Sequence, residues 1–284
     1  MMEKNNDQNM ASGKEDHAMR ISDAVEICRK SQEIRMRHNS GMPMLDMLIG
    51  GLESGKVYLI GGGEMMGKTG LALTLAKNLL DEGVKVGFFA DRSWQDVDFM
   101  VRVVSILRGG KCPATYEERE KLLSDAQMDD VGLYLECEPW MKWSYFVGRC
   151  RYLVEHEGVG CLIWDTMEDM FDPDGSIGNG QGVLGRCVKR LAEELNVCII
   201  VTTQDGRYDK TQEPTIEDLS DWSGMSHYSD CVMEVTRPEM LGIKYDEMGS
   251  TTNKAVIYVL KSGYRTGKLS VPIEESSRMF APEI

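Results

Sequence analysis

Apolar residues along the chain follow two rhythms. Short, largely apolar runs at Val57–Ile60, Val84–Ala90, Val131–Leu135, Val159–Trp164, Val197–Val201 and Cys231–Val235 predict buried strands. Between them, apolar residues return at helical spacing. Leu71, Leu73, Leu75 and Leu79 mark a helix from Lys68 to about Leu80, and further helices are predicted over Gln95–Leu107 and Tyr116–Met128. Phe146, Val147, Cys150, Leu153 and Val154 define one over Trp143–Glu155, and Val183, Leu184, Cys187, Val188, Leu191 and Leu195 define another. Gly41–Gly55 reads as a brief helix and a turn leading into the first core strand. Lys254–Leu260 and Lys268–Val271 read as hairpin arms joined by Ser262–Gly267. Strands alternating with helices predict an α/β fold, a mostly parallel central sheet with helices on both faces and a C-terminal antiparallel hairpin. One domain over residues 37–284 accommodates all of it.

Ahead of that domain the pattern changes. Residues 1–18 are polar and poor in large apolar groups, which predicts a disordered tail. Residues 19–36 carry Ile21, Ala24, Val25, Ile27, Cys28 and Ile34, an amphipathic helix with Ser22 and Asp23 as candidate caps. Its apolar stripe has two uses, covering the domain's own flank or docking on a neighbouring subunit. Met170–Gly182 is rich in Gly, Asp and Pro and predicts a loop, and Thr202–Tyr228 is a long polar stretch.

Composition narrows the class. The 284 residues support one large core. No apolar run approaches the ~18 residues of a membrane span, and no secretory signal follows the first methionine, so the expected place is the cytoplasm. Eight cysteines stand at least eleven residues apart, without metal-knuckle or redox spacing, and read as reduced thiols. The net charge of -14 does not by itself point to nucleic acid. A ring with basic loops lining its channel would still be compatible with it.

The chemistry begins at Gly62-Gly63-Glu64-Met65-Met66-Gly67-Lys68-Thr69. This is glycine, four residues, then Gly-Lys-Thr, with a strand before it and a helix after it. Glycines let successive backbone N–H groups face the phosphates of a nucleotide, and the helix N-terminus adds its positive end. Lys68 is placed to contact the β- and γ-phosphates and the Thr69 hydroxyl to ligate Mg²⁺. Asp165 closes an apolar run and is the candidate carboxylate for the magnesium shell, at the sheet edge where open α/β folds bind ligands. Asp91 ends the second strand and is the candidate for activating water, beside the phosphate loop if the two strands are neighbours. Gln204, just past Val201, is the candidate γ-phosphate sensor.

These segments in order resemble the RecA-like ATPase domain of the replicative DnaB-type hexameric DNA helicases, from about Ser40 to Phe280. The likeness runs through Gly51-Leu52-Glu53-Ser54-Gly55, the phosphate loop, Leu133-Tyr134-Leu135, the run into Asp165 and Leu191–Val197. It continues through Gln204, Asp218-Leu219, Ser223-Gly224, Ser229–Met233 and the terminal hairpin. The resemblance implies ATP with Mg²⁺ as cofactor, single-stranded DNA as partner and a homo-oligomeric ring, a hexamer, with ATP between subunits. It implies that one subunit's late hairpin supplies cations to the next subunit's site, Lys261 first. Channel-facing loops would lie at about Glu168–Gly182 and Asp205–Asp221.

Three features depart from that pattern. Asp91 stands where the family usually has glutamate. Gly263 stands at the family's arginine, with Arg265 two residues on as its candidate substitute. The first channel loop carries Glu168, Asp169, Asp172 and Asp174, which leaves Arg186, Lys189, Arg207 and Lys210 as candidate DNA contacts. The leading expectation is an ATP-dependent DNA helicase moving on single strands. The alternatives are a RecA-like ATPase that does not unwind, serving replication or recombination, and a nucleotide-binding scaffold with negligible turnover.

Overall fold

The computed structural model describes residues 20–128, 131–167, 182–204, 212–219, 224–247 and 249–281. The chain divides into two units, Met1–Arg35 and Met36–Ile284. In the first, α1 spans Ile21–Ile34. Arg20 occupies its N-cap position without a side-chain hydrogen bond, so Ser22 and Asp23 lie inside the first turn and do not cap it. Asp23 there still faces the positive helix end. Ile21, Val25 and Ile27 are exposed.

In the second unit the elements run β1 (Arg37–His38), α2 (Pro43–Ile49), β2 (Leu52–Glu53), β3 (Val57–Gly61), α3 (Lys68–Asp81) and β4 (Val86–Ala90). Then come α4 (Val97–Leu107), α5 (Tyr116–Ser124), β5 (Leu133–Cys137), α6 (Trp143–Glu157), β6 (Cys161–Asp165), α7 (Val183–Leu195) and β7 (Cys198–Thr202). The chain ends with α8 (Met225–Tyr228), β8 (Cys231–Thr236), β9 (Tyr245–Asp246), β10 (Gly249–Ser250), β11 (Lys254–Lys261) and β12 (Gly267–Pro272).

Eight strands form one sheet in the order β12-β11-β8-β3-β7-β6-β4-β5. Neighbours from β8 to β5 are parallel, while β11 runs antiparallel to both β8 and β12. Alternation along β3 feeds two cores. Tyr58 and Ile60 join Leu71, Leu75 and Phe99 from α3 and α4 on one face. Val57 and Leu59 join Phe146, Leu184 and Leu191 from α6 and α7 on the other. Strands buried on both faces must be apolar throughout, which is why their sequences read as runs. Phe146 anchors the second core, its ring 4.8 Å from Phe89 and 4.7 Å from Trp164.

Helix ends follow local chemistry. Thr115 and Glu118 form a reciprocal capping box at α5, and Asn196 closes α7 in the left-handed conformation. The polar stretch Thr202–Tyr228 contains α8 and a 3₁₀ turn at Ile216–Leu219. Such short pieces carry no hydrophobic period. Cys137, Cys150, Cys161, Cys198 and Cys231 are buried free thiols. Among the described residues, no helix is long and apolar enough to cross a membrane.

Candidate functional site

The phosphate loop leaves β3 at the carboxyl edge of the sheet and enters α3. Gly62 has φ 151°, and a Cβ there would lie 2.6 Å from the Val235 carbonyl oxygen of neighbouring β8. Any side chain would push the loop off the sheet. Gly67, at φ 106°, is the left-handed N-cap of α3. Met66 is buried and its Sδ accepts the Arg237 N–H at 3.3 Å, which braces the loop from the residue just after β8. Glu64 and Met65 face solvent.

Three predicted residues meet here. Lys68 Nζ donates to the Gly62 and Gly63 carbonyls at 2.8 and 3.0 Å, so the ammonium lies over the loop mouth. Thr69 Oγ1 donates to Asp165 Oδ2 at 2.8 Å. The other carboxylate oxygen accepts from Thr202 Oγ1 at 2.6 Å. Asp165 is 5% exposed, so these hydroxyls fix its orientation within the sheet edge. Thr202 escaped the sequence reading. Its only signal in the sequence is a polar residue at the end of an apolar run. A hydroxyl and a carboxylate at a helix N-terminus below an amide-lined loop are the hard oxygen donors that Mg²⁺ prefers, so the residues present fit a magnesium nucleotide.

Asp91 sits elsewhere than expected. β4 does not adjoin β3, because β7 and β6 occupy the two places between them. Chain order does not set lateral order in a parallel sheet, and two later apolar strands fill the gap. Asp91 instead borders Asp165, whose carbonyl accepts the Asp91 N–H at 3.2 Å. Gln204 is nearer the loop along the sheet. It follows β7, which pairs directly with β3, and Thr203 N–H donates to the Ile60 carbonyl at 3.0 Å. Its side chain is exposed.

The hairpin cations lie at the opposite edge. β11 runs against β8, with Lys261 opposite Val232 near the start of that strand. The turn after Lys261 is therefore at the amino edge, and β3 spans five residues between the edges. At ~3.3 Å per residue that separates the hairpin tip from its own phosphate loop by roughly 15 Å. The tip is fixed in place: Ser262 Oγ and Arg265 N–H both donate to the Leu48 carbonyl, at 2.9 and 3.0 Å. The Arg265 side chain is exposed and meets no partner among the described residues. Lys261 is turned toward its own chain, donating to the carbonyls of His227 at 2.7 Å and Ser226 at 3.3 Å. Burial lowers its pKa.

Of the candidate DNA contacts, Arg186 is exposed on α7. Lys189 requires correction. Its ammonium binds Asp230 at 2.8 Å, the Gly55 carbonyl at 2.9 Å and Glu193 at 3.3 Å. Asp230 also accepts the Val57 N–H at 2.9 Å. This charge ties α7 to the start of β3 and β8 and is spent inside the domain. Arg207 and Lys210 lie outside the described residues, as do residues 168–181 of the first expected channel loop.

Solved structures share this architecture. The chain superimposes on a solved ATPase domain with a TM-score of 0.72 and 17% identity, covering 94% of this chain and 100% of that one. A DnaB-like replicative helicase, solved with its interactions with primase in view, matches at a TM-score of 0.70 and 19% identity, over 96% of this chain and 69% of that one. In sequence, the chain is 25% identical over 261 residues to the replicative DNA helicase DnaC of Bacillus subtilis (strain 168), covering 86% of this chain and 54% of that protein. It is 25% identical over 263 residues to the replicative DNA helicase DnaB of Geobacillus stearothermophilus, covering 82% and 55%. The chain thus spans about half the length of these relatives. The family model for the DnaB-like helicase C-terminal domain matches residues 38–280, from the end of β1 to the segment packed on α3, and the chain belongs to that family.

Proposed function

We propose that this protein is an ATP-dependent DNA helicase motor, coupling Mg-ATP hydrolysis to movement on single-stranded DNA as a homo-oligomeric ring, a hexamer. The supporting observation is the split site. Lys68, Thr69 and Asp165 converge at the carboxyl edge of the sheet, while the exposed Arg265 is held at the amino edge. One chain cannot bring both to one nucleotide, and a head-to-tail ring of copies can. In this reading Lys68 and the loop amides bind the triphosphate, and Thr69 and Asp165 hold Mg²⁺. Bound magnesium neutralises charge on the β- and γ-phosphate oxygens. Asp91 orients water, Gln204 senses the γ-phosphate, and Arg265 and Lys261 arrive from the neighbouring copy. Arg186, Arg207 and Lys210 are the cations proposed to face DNA, and the cytoplasm is the proposed location. Residues 1–18 and 19–36 are proposed as a tail and a linker helix outside the 37–284 motor.

A second reading, an ATPase of the same fold that does not unwind, is favoured by Lys189. Its internal ion pair with Asp230 removes one candidate DNA cation from an already acidic chain. The test is ATP turnover with and without single-stranded DNA, together with mass in solution and strand displacement. DNA-stimulated turnover and unwinding by a hexamer support the first reading. Turnover indifferent to DNA supports the second. Tight binding of nucleotide without turnover overturns both in favour of a scaffold.

A further inference from the structure

Arg102 on α4 is half-buried, and its guanidinium meets no hydrogen-bonding or ion-pairing group among the described residues. A desolvated cation is unfavourable unless an anionic group faces it, so a half-buried guanidinium favours an anionic partner. Its neighbours lead toward the helix that follows the phosphate loop. α4 packs on α3, and the charge of Asp165 is near enough to act on Arg102. Burial is the main influence lowering the pKa of Arg102, and the positive charge of Arg278 adds to it.

Arg278 reaches this place from the segment after β12. That segment lies across the first turns of α3. The Phe280 N–H donates to Thr74 Oγ1 at 3.0 Å, and a Cβ on Gly70 would be 2.4 Å from the Arg278 carbonyl oxygen. The Cys112 N–H donates to Ser276 Oγ at 2.9 Å, tying the same segment to the chain after α4. The Arg278 side chain is also half-buried and without a partner among the described residues. Arg92, the third arginine of the group, is satisfied by Asp96 at 3.1 Å and by the Phe99 ring.

Gly70 follows Thr69 directly, and in a loop of this type the amides at the helix start face the α- and β-phosphates while the lysine faces the β and γ. We propose that Arg102 and Arg278 form a cationic pair that holds the α-phosphate end of the nucleotide, where the nucleoside leaves the loop. This rests on the reading of Gly62 to Thr69 as a nucleotide site. The pair sets affinity for diphosphate and triphosphate alike.

The experiment measures melting temperature without nucleotide and Kd for Mg-ADP and Mg-ATP in the full chain. It compares the unaltered protein with Arg102→Met, Arg102→Lys and Arg278→Ser. Removing a half-buried charge that has no hydrogen-bonding partner among the described residues leaves the melting temperature of Arg102→Met unchanged or higher. Its affinity for both ADP and ATP falls about tenfold or more, the loss of one charge-assisted contact. Arg102→Lys recovers part of that loss as a point charge, and Arg278→Ser weakens both ligands. Unchanged Kd values in Arg102→Met and Arg278→Ser overturn the inference. Loss confined to ATP overturns the placement, because it puts the pair at the γ-phosphate. A lower melting temperature with unchanged Kd makes Arg102 a packing residue. If the unaltered chain binds no magnesium nucleotide, the site reading itself falls and takes this inference with it. Binding by the unaltered chain with indifferent variants sinks the inference alone.

Discussion

Trp140 donates its backbone N–H to Asp91 Oδ1 at 3.1 Å, joining the chain beyond β5 to the end of β4. Trp140 adopts φ 59°, uncommon for a large side chain, and its ring is exposed. β5 lies on the side of β4 away from β6. The contact therefore draws one oxygen of Asp91 toward the outer edge of the sheet, away from Asp165. A carboxylate one methylene shorter than glutamate, engaged on that side, is poorly extended toward a water at the phosphate loop.

Lengthening that side chain is expected to help. Asp91→Glu should hold or raise kcat, and Asp91→Ala should lower it, by less than the roughly 10²-fold that a well-positioned general base contributes. Steady-state turnover of both variants checks this, with Kd for nucleotide measured beside it. Equal kcat in Asp91→Ala would remove Asp91 from the chemistry and turn attention to Gln204.

The separation of the two half-sites makes a complementation prediction. Lys68→Ala lacks the phosphate cation and Arg265→Ala lacks the group offered to the neighbour, so each alone should turn over poorly. Mixed and reassembled, they create some interfaces that pair an intact Lys68 with an intact Arg265. Turnover in the mixture should exceed the average of the separate proteins. A mixture no better than that average would place Arg265 outside the site. Since the hairpin tip is anchored at the amino edge by Leu48 and by Tyr264 against Gly50, action within one chain is not an alternative.

The sequence carried the loop, Lys68, Thr69 and Asp165 because each is local: a contiguous motif, or the last residue of an apolar run. It carried the strands for the same reason, and the antiparallel pairing of β11 with β12 through their short connection. Lateral order was not legible. Every central strand is apolar on both faces, so nothing in β4 distinguishes a place beside β3 from one beside β6. Partners distant along the chain were equally hidden. Lys189 reads as a free cation until Asp230 is brought to 2.8 Å, and Thr202 reads as an ordinary strand end until β6 places Asp165 beside it.

Glu53 predicts a pH dependence. It is nearly buried and bonded to Arg37 at 2.9 Å and Lys56 at 3.0 Å. Burial pushes its carboxyl up, but Arg37 and Lys56 outweigh that and hold it below the ordinary range. A folded pKa below the unfolded one gives stability that is present above the unfolded value and fades as pH falls through the folded value. Glu53→Gln should therefore cost about 2 kcal/mol at neutral pH, as for a hydrogen bond to a charged group. The gap to the unaltered protein should close in acid, below the ordinary glutamate range. Denaturant melts across that range check it. A gap independent of pH would mean the carboxylate charge contributes nothing.

Thr202 offers the sharpest separation of metal from nucleotide. Its hydroxyl holds Asp165 Oδ1 while Thr69 holds Oδ2, so the carboxylate plane is set from both sides. Thr202→Val keeps the shape and removes one donor from a buried carboxylate. Orienting groups of this kind typically change metal affinity by about 10- to 100-fold. The magnesium concentration for half-maximal turnover should rise at least about tenfold in this variant, whereas nucleotide binding in the presence of a chelator should be unaffected. If magnesium dependence stays the same while metal-free nucleotide binding weakens, Thr202 acts on the loop through β3 and not through Asp165.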